Sequence, residues 1–165
     1  MIELYEGVPG SGKSYHAICE KFLPWVKQGR RLYIAVDGIY LDRLSLFTGI
    51  ELKTLEQQIT IWKDSVEVLQ AFPHVEPGSA VIIDEAQTVF RSMQKVEPGL
   101  LRWLETHRHY GVDILLMSQD FRQMSQGVTR LIEATVKFRK LAFVGLSKKY
   151  QGKVRGNPED NEVIR

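Results

Sequence analysis

A glycine-rich run near the amino terminus has the residue types and spacing needed to hold phosphate groups. Residues 7–14 read Gly-Val-Pro-Gly-Ser-Gly-Lys-Ser and match the pattern G-x-x-x-x-G-K-[ST]. Glycines permit a backbone path that turns several N–H groups toward one anion, and a following helix points its partial positive end there. Lys13 would supply a mobile charge for the outer phosphates, and the Ser14 hydroxyl is a suitable Mg²⁺ ligand.

This run predicts a site for a nucleoside triphosphate with Mg²⁺. A glycine-rich turn without a ligand is the alternative, but the order of strand, loop, Lys-Ser and helix disfavours it. The predicted nucleotide-binding residues are Gly7, Val8, Pro9, Gly10, Ser11, Gly12, Lys13, Ser14 and Tyr15.

Two acidic residues follow a short apolar run at residues 80–83 and could complete a metal site. Four small or branched apolar residues are typical of a strand buried in a parallel sheet. Asp84 at its end would hold a metal-bound water beside Ser14, so Ser14 and Asp84 are the predicted Mg²⁺ residues. Glu85 is placed to be the base that polarises the attacking water. The alternative for either acid is an ordinary helix cap.

A glutamine at the end of a second apolar strand adds a third signal. Residues 113–117 read as a buried strand, and Ser118 and Gln119 follow it. Ligands of open α/β sheets bind outside the carboxyl ends of the strands. Gln119 there could donate to the γ-phosphate and accept from the attacking water. Alone this signal is weak, because polar residues often end strands.

Alternating strands and helices must position these residues. Such alternation predicts an α/β sandwich of three layers around a mainly parallel sheet. Pro24 is expected to kink or end the first helix, and residues 39–49 are expected to be irregular or briefly helical. Asp64 is the expected N-cap of a later helix. The predicted strands are 2–5, 31–36, 59–62, 80–83, 113–117 and 134–140, with antiparallel pieces at 141–144 and 148–154, and the predicted helices are 15–26, 64–71 and 99–110.

Composition and charge exclude several classes of protein. Hydrophobic residues make up 44% and charged residues 25% of the 165 residues, which excludes wholesale disorder and predicts one domain over residues 1–165. No apolar run approaches the roughly 18 residues that span a bilayer. Because the first strand follows the amino terminus directly, we expect no signal peptide. The single cysteine, Cys19, cannot form an internal disulfide and fits a reducing cytoplasm.

Positive charge is concentrated near the carboxyl end, although the net charge is only +2. Residues 134–155 contain no acid, and an acidic stretch at 158–162 follows, so residues 146–165 read as a basic and then acidic tail. The basic stretch 137–155 is either a solvated face or a contact with nucleic acid or an anionic membrane surface. Its basic residues are Lys137, Arg139, Lys140, Lys148, Lys149, Lys153 and Arg155.

The phosphate loop, the acid pair and the strand-end glutamine resemble those of P-loop ATPases with an additional strand and a catalytic glutamate. Residues 104–119, which read Leu-Glu-Thr-His-Arg-His-Tyr-Gly-Val-Asp-Ile-Leu-Leu-Met-Ser-Gln, resemble the zonula occludens toxin family more specifically. That family includes the assembly protein I of filamentous phages. The Val-Ile-Ile-Asp-Glu-Ala-Gln run ending at Gln87 is similar as well, and the resemblance extends over residues 1–145.

The resemblance implies an ATPase that powers phage extrusion through the bacterial inner membrane. Family members combine a cytoplasmic amino-terminal ATPase domain with one membrane span and a periplasmic part. This chain would be the cytoplasmic domain, at the membrane's inner face, with its membrane segment absent from these residues. The basic stretch 137–155 would then lie just before that segment. The implied cofactors are ATP and Mg²⁺, and the implied partners are the phage assembly and secretion machinery.

The resemblance also implies a homo-oligomeric ring, for example a hexamer, in which an arginine reaches a neighbour's γ-phosphate. Arg108 matches the family's His-Arg and is the first candidate, so the predicted catalytic residues are Lys13, Glu85, Gln119 and Arg108. Arg91 and Arg122 are reserves. The alternative for Arg108 is a surface ion pair with Glu105 or Asp113.

Two other functions stay open at this point. One is a DNA-binding or packaging NTPase that contacts DNA through residues 137–155, which predicts binding that weakens steeply with salt. The other is a small-molecule P-loop kinase, although such kinases usually lack the glutamate. The phosphate loop by itself favours only an NTPase.

Overall fold

The computed structural model describes residues 1–140 and 150–156. Their strands form a seven-stranded sheet in the order β3-β2-β4-β5-β1-β6-β7. The strands are β1 (Ile2–Glu6), β2 (Leu32–Ala35), β3 (Ile59–Ile61), β4 (Ala80–Ile83), β5 (Asp113–Ser118), β6 (Ala134–Lys140) and β7 (Tyr150–Arg155). All neighbouring strands are parallel except β6 and β7, which pair antiparallel.

The strand order separates the phosphate loop from the acid pair by one strand. β5 lies between β1, which precedes the loop, and β4, which precedes the acids. The carboxyl ends of β1, β4 and β5 therefore meet at one edge of the sheet. This arrangement confirms the predicted α/β class with a mainly parallel sheet and an additional strand.

Side chains of each central strand alternate between two hydrophobic clusters, one on each face of the sheet. On β5, Ile114 and Leu116 belong to one cluster, and Leu115 and Met117 belong to the other. Helices cover both faces, which gives the predicted three layers. The α-helices are α1 (Lys13–Ala17), α2 (Leu23–Lys27), α3 (Leu41–Thr48), α4 (Leu52–Gln58), α5 (Ser65–Ala71), α6 (Ala86–Val89), α7 (Pro98–Thr106) and α8 (Gln126–Thr129).

The helix after the phosphate loop is interrupted near Pro24, as expected. A π-helical segment, Ile18–Phe22, joins α1 to α2, and Pro24 lies in the first turn of α2. Because proline has no N–H to donate, the backbone there cannot continue a regular α-helical ladder. The helix ends before Gly29, which has a φ of 71°.

Short 3₁₀ segments extend or connect the helices at Phe72–His74, His107–Tyr110 and Phe121–Gln123. The predicted helix 99–110 is therefore α7 followed by a 3₁₀ turn. The expected short helix within residues 39–49 is α3. Within 1–140 and 150–156, no helix combines the length and the apolar composition needed to cross a bilayer.

The predicted piece at 141–144 and the acidic stretch at 158–162 lie outside the described residues, as do Lys148 and Lys149. The other predicted antiparallel piece, 148–154, corresponds to β7 where it is described. β7 pairs with β6 so that Lys153 lies opposite Lys137.

Asp64 caps α5, and its loss is expected to destabilise the fold measurably. Its Oδ1 accepts hydrogen bonds from the N–H groups of Val66 and Glu67, both at 2.9 Å. Replacing such a cap by alanine typically costs about 1 kcal/mol. Asp64→Ala should therefore lower the urea midpoint, measured by circular dichroism. Asp42→Ala is the control, because Asp42 lies in the first turn of α3, whose N-cap Tyr40 makes no side-chain cap hydrogen bond. Equal midpoints for the two variants would contradict the capping role.

Candidate nucleotide site

The glycine-rich loop leaves the end of β1 and returns into α1. Gly10 and Gly12 have φ values of 67° and 96°, a left-handed conformation that side chains with a Cβ rarely adopt. Gly7 is needed for a different reason, since a Cβ there would lie 2.6 Å from the carbonyl oxygen of Phe138 on β6. The loop is therefore shaped by glycines at positions where other residues would strain or clash.

Lys13 lies across this loop and is almost completely buried, with 6% of its surface exposed. Its Nζ donates to the carbonyl oxygen of Gly7 at 2.6 Å and contacts that of Val8 at 3.4 Å. Burial lowers the pKa of Lys13, while the charges of Asp84 and Glu85 act in the opposite direction. The ammonium group is thus held inside the loop, close to both acids.

Ser14 and Asp84 come together from residues 70 apart in the sequence. The Ser14 Oγ donates to the Asp84 Oδ2 at 3.2 Å. This closeness fits a Mg²⁺ site in which the Ser14 oxygen would bind the ion and the Asp84 carboxylate would hold a metal-bound water beside it. The other Asp84 oxygen accepts the Glu85 N–H at 2.8 Å, which fixes the carboxylate.

Glu85 has an unusual backbone conformation for a residue other than glycine. Its φ is 48° and its ψ is 44°. Among the residues that the structure describes, Glu85 is the one non-glycine residue with a positive φ. Such left-handed conformations cost roughly 1–3 kcal/mol and often mark functional sites. Glu85 stands at the N-cap of α6, directly after Asp84, where the chain turns out of the sheet.

Two glutamine side chains hold the Glu85 carboxylate. The Gln119 Nε2, just beyond the end of β5, lies 3.3 Å and 3.2 Å from the two carboxylate oxygens. The Gln87 Nε2 donates to the carboxylate from two residues further along the chain, in α6. A carboxylate that accepts from fixed amides is oriented before a substrate arrives.

Sequence reasoning did not assign a role to Gln87. Its contact with Glu85 depends on the left-handed backbone conformation of Glu85, which no sequence pattern predicts. A cavity of about 180 Å³ beside Asp84 and Glu85 was also missed, and Asp37 and Lys63 line it. The position of Asp37 could have indicated that it lies near the cleft, because it follows the end of β2 at the same edge of the sheet.

The structure thus brings most of the predicted site residues into one cleft. Residues 7–15, Asp84, Glu85 and Gln119 all lie at the carboxyl ends of β1, β4 and β5. This is the edge of an open α/β sheet where ligands bind. The arrangement can hold a phosphate chain, a divalent cation and a water beside a fixed carboxylate.

Arg108 lies elsewhere, at the opposite edge of the sheet. It belongs to the 3₁₀ turn before β5, whereas Gln119 follows β5, and the length of that strand separates them by roughly 15–20 Å. Within this chain Arg108 cannot reach the cleft. A role in a neighbouring subunit's site stays a prediction.

The partner of Arg108 is Glu133, and neither Glu105 nor Asp113 is its partner. The Arg108 Nε lies 3.1 Å from the Glu133 Oε1, and its NH2 group lies 2.5 Å from Oε2. Burial by itself would raise the pKa of Glu133, but the hydrogen bonds from Arg108 and the Ile2 amide lower it. Asp113 is engaged instead by the amino terminus and by Arg30.

The two reserve arginines lie near the cleft edge. Arg122 follows Gln119 closely, and its guanidinium pairs with Asp120 at 2.9 Å while its side chain stays 78% exposed. Arg91 forms an antiparallel bridge with Met124 and donates to the carbonyl oxygen of Thr88 at 3.2 Å. Both arginines are therefore closer to the cleft edge than Arg108 is.

An arginine that acts between subunits should affect turnover and leave binding unchanged. Arg108→Ala is expected to bind ATP like the wild type and to lose roughly 10³-fold in multimer-dependent hydrolysis. Phosphate release measured over a range of protein concentrations checks this. Arg102→Ala, an exposed arginine on α7, is the matched control. Unchanged turnover per subunit in Arg108→Ala would remove Arg108 from the mechanism and direct attention to Arg122 and Arg91.

Comparison with known proteins identifies the family. The model of the "Zonular occludens toxin (Zot)" family matches residues 1–163. The chain belongs to the Zot family. Among Zot relatives, the gene 1 protein of Xanthomonas phage phiLf is 26% identical over 92% of this chain and 37% of its own length. The putative assembly protein ORF301 of Pseudomonas phage Pf3 is 31% identical over 72% of this chain and 36% of its own.

This Zot-family chain spans about two-fifths of the length of the curated relatives it matches. Its fold is similar to that of the genome packaging NTPase B204 from Sulfolobus turreted icosahedral virus 2, solved with ATP-gammaS. The TM-score is 0.65 at 18% identity, covering 99% of this chain and 96% of that one. The amino-terminal domain of zonular occludens toxin from Neisseria meningitidis gives 0.57 at 20% identity, covering 96% and 94%. The predicted P-loop NTPase fold and Zot membership are confirmed.

Proposed function

We propose that this chain binds ATP with Mg²⁺ and hydrolyses it, as the NTPase part of a phage assembly machine. The observation that carries the proposal is the cleft in which Ser14 contacts Asp84 while Gln119 holds Glu85. The family supports the phage context, and the NTPase fold supports the use of a nucleotide.

The phosphate chain binds on the loop between β1 and α1. Its N–H groups and the start of α1 attract the anion. Lys13 exchanges its hydrogen bonds with the carbonyl oxygens of Gly7 and Val8 for bonds with the outer phosphate oxygens. Because its ammonium group is already buried, little solvent must be displaced when it turns to the nucleotide.

Ser14 and Asp84 are the residues that would hold Mg²⁺. When bound there, the ion would neutralise charge on the phosphate oxygens and favour departure of the leaving group. The hydroxyl–carboxylate pair has oxygen ligands only, which suits Mg²⁺ and not softer metals.

Glu85 acts as the general base in the proposed reaction. Its carboxylate takes a proton from water as the water oxygen bonds to the γ-phosphorus, and the bond from that phosphorus to the β-γ bridging oxygen breaks. The products are ADP and inorganic phosphate. Gln119 and Gln87 hold the carboxylate in one orientation, so that Glu85 does not rotate away from the attacking water.

Oligomerisation and membrane location belong to the same proposal. A ring of subunits, assembled at the cytoplasmic face of the bacterial inner membrane, would couple hydrolysis to phage extrusion, with Arg108 of one subunit serving a neighbour. The test is phosphate release from ATP with and without Mg²⁺ at rising protein concentration. Mg²⁺-dependent release whose rate per subunit rises with concentration is expected. Absence of release at every concentration would contradict the proposal.

DNA packaging is the second candidate function, and one observation favours it. The antiparallel pairing places Lys153 directly opposite Lys137, so two like charges share one face of the sheet edge. Lys137 is also paired with Glu6 at 3.1 Å, which offsets part of that repulsion. The phosphates of a bound DNA would offset the remaining repulsion between Lys137 and Lys153. Binding to DNA that does not weaken with salt, or no binding, would exclude this contact.

A further inference from the structure

An apolar groove runs along the side of the helix that follows the phosphate loop. Its volume is about 450 Å³, in the range of small-molecule sites. One wall is the helical stretch through Ile18, Cys19 and Phe22, and the other is the segment from Gly38 into α3. The two walls meet over a predominantly apolar surface.

The groove begins next to the proposed phosphate site. Tyr15 lines it and directly follows Ser14 in the chain. A nucleotide whose phosphates lie on residues 7–14 therefore has its nucleoside end within reach of this groove.

Two aromatic rings at the mouth of the groove are unusually accessible. Tyr15 is 67% and Tyr40 57% exposed, although both adjoin apolar surface. The guanidinium of Arg43 lies 5.0 Å from the centroid of the Tyr40 ring and covers one of its two faces. Arg43 thus holds the ring at the edge of the groove, while more than half of the Tyr40 surface stays exposed.

The turn that presents Tyr40 is built by the backbone. Gly38 has a φ of 82°, which bends the chain sharply after β2 and carries Tyr40 to the start of α3. Tyr40 is the N-cap residue of α3 and makes no side-chain capping hydrogen bond there. Its ring contacts α3 through Arg43 and does not cap the helix.

We propose that this groove binds the base of the nucleotide and that Tyr40 is its stacking surface. The inference rests on the proposed nucleotide binding by residues 7–14. A planar base matches a groove that is apolar, bordered by tyrosine rings and continuous with the phosphate loop. Base–aromatic stacking tolerates different bases, so the groove explains nucleotide binding without a base-reading sequence motif.

Binding of ATP and of inorganic tripolyphosphate to the protein, measured by calorimetry with Mg²⁺, separates the base from the phosphates. Wild type should bind ATP more tightly than tripolyphosphate. Tyr40→Ala should weaken ATP binding roughly 5- to 100-fold, the range expected for one lost stack, and leave tripolyphosphate binding unchanged. Tyr40→Phe should bind ATP like the wild type. Leu46→Ala is the matched control, since Leu46 is an 87% exposed apolar residue of α3 outside the groove.

Alkylation of Cys19 gives a second measurement that needs no variant. Cys19 lines the groove and is the single cysteine of the chain, so a maleimide reports on that surface alone. ATP should slow its alkylation, and tripolyphosphate should not.

The outcomes separate the two proposals. Equal ATP affinity in Tyr40→Ala and wild type, or equal protection of Cys19 by both ligands, would overturn the base site while leaving phosphate binding intact. If wild type bound neither ATP nor tripolyphosphate, the proposed function and the base site would both fall.

Discussion

Lys13→Ala should reduce ATP affinity by roughly 100-fold, because it removes charge-assisted hydrogen bonds to phosphate worth about 1.5–3 kcal/mol each. The lysine is buried within the loop, and its Nζ donates to the carbonyl oxygen of Gly7, so its charge lies where the proposed phosphates would bind. Burial lowers the pKa of Lys13, the charges of Asp84 and Glu85 act in the opposite direction, and bound phosphates would stabilise the positive charge further. Calorimetric titration with ATP and Mg²⁺ measures the loss.

Lys27→Ala controls for the general effect of removing a positive charge. Lys27 is exposed and lies on α2, beyond the π-helical segment. It should bind ATP like the wild type. Circular dichroism should show that Lys13→Ala remains folded, since the variant deletes a buried charge and no core side chain. Wild-type affinity in Lys13→Ala would mean that ATP does not bind on this loop.

Glu85→Gln should keep ATP binding and lose hydrolysis by roughly 10²- to 10⁴-fold, the usual contribution of a general base. Glutamine preserves the size of the side chain but cannot accept the proton. The variant should accumulate bound ATP, which can be measured by separating nucleotides after a single turnover. Glu85→Gln should therefore lose hydrolysis while it keeps ATP binding, whereas Lys13→Ala should lose ATP binding.

Glu56→Gln is the control for this second variant, because Glu56 is an exposed glutamate on α4. It should hydrolyse ATP at the wild-type rate. Wild-type turnover in Glu85→Gln would show that another group takes the proton, and the left-handed backbone of Glu85 would then need a structural explanation.

The sequence predicted the cleft well because its parts are locally encoded. The glycine spacing of residues 7–14 predicts the loop, and the apolar run 80–83 is typical of a buried strand, whose bounds the structure confirms. Once two such strands are parallel, their following residues must meet at one edge. Asp84 and Gln119 could therefore be placed together before any coordinates were known.

Features that depend on the three-dimensional path were not predictable in the same way. Arg108 precedes Gln119 by only eleven positions, yet the full length of β5 puts it at the other edge of the sheet. The helix α4 was missed because Leu55 and Gln58 are its only buried residues, which gives too little periodicity. The groove joins Tyr15 to Tyr40 across two elements, so no linear motif marks it.

The strained turn at Glu85 illustrates the same limit. A helix cap and a catalytic base look alike in sequence, since both are an acid before a helix. The contacts of Gln119 and Gln87 with the Glu85 carboxylate arise only in the folded chain. Those contacts favour the base over the cap, because the Glu85 side chain makes no capping hydrogen bond to α6.

A crystal structure of the protein with Mg²⁺ and a non-hydrolysable ATP analogue tests the central claim most directly. We predict that the triphosphate lies on the N–H groups of residues 7–14, with the metal bound by Ser14 and next to Asp84. A water should lie between Glu85 and the γ-phosphorus. Nucleotide bound away from this loop, or a γ-phosphate remote from Glu85, would contradict the account.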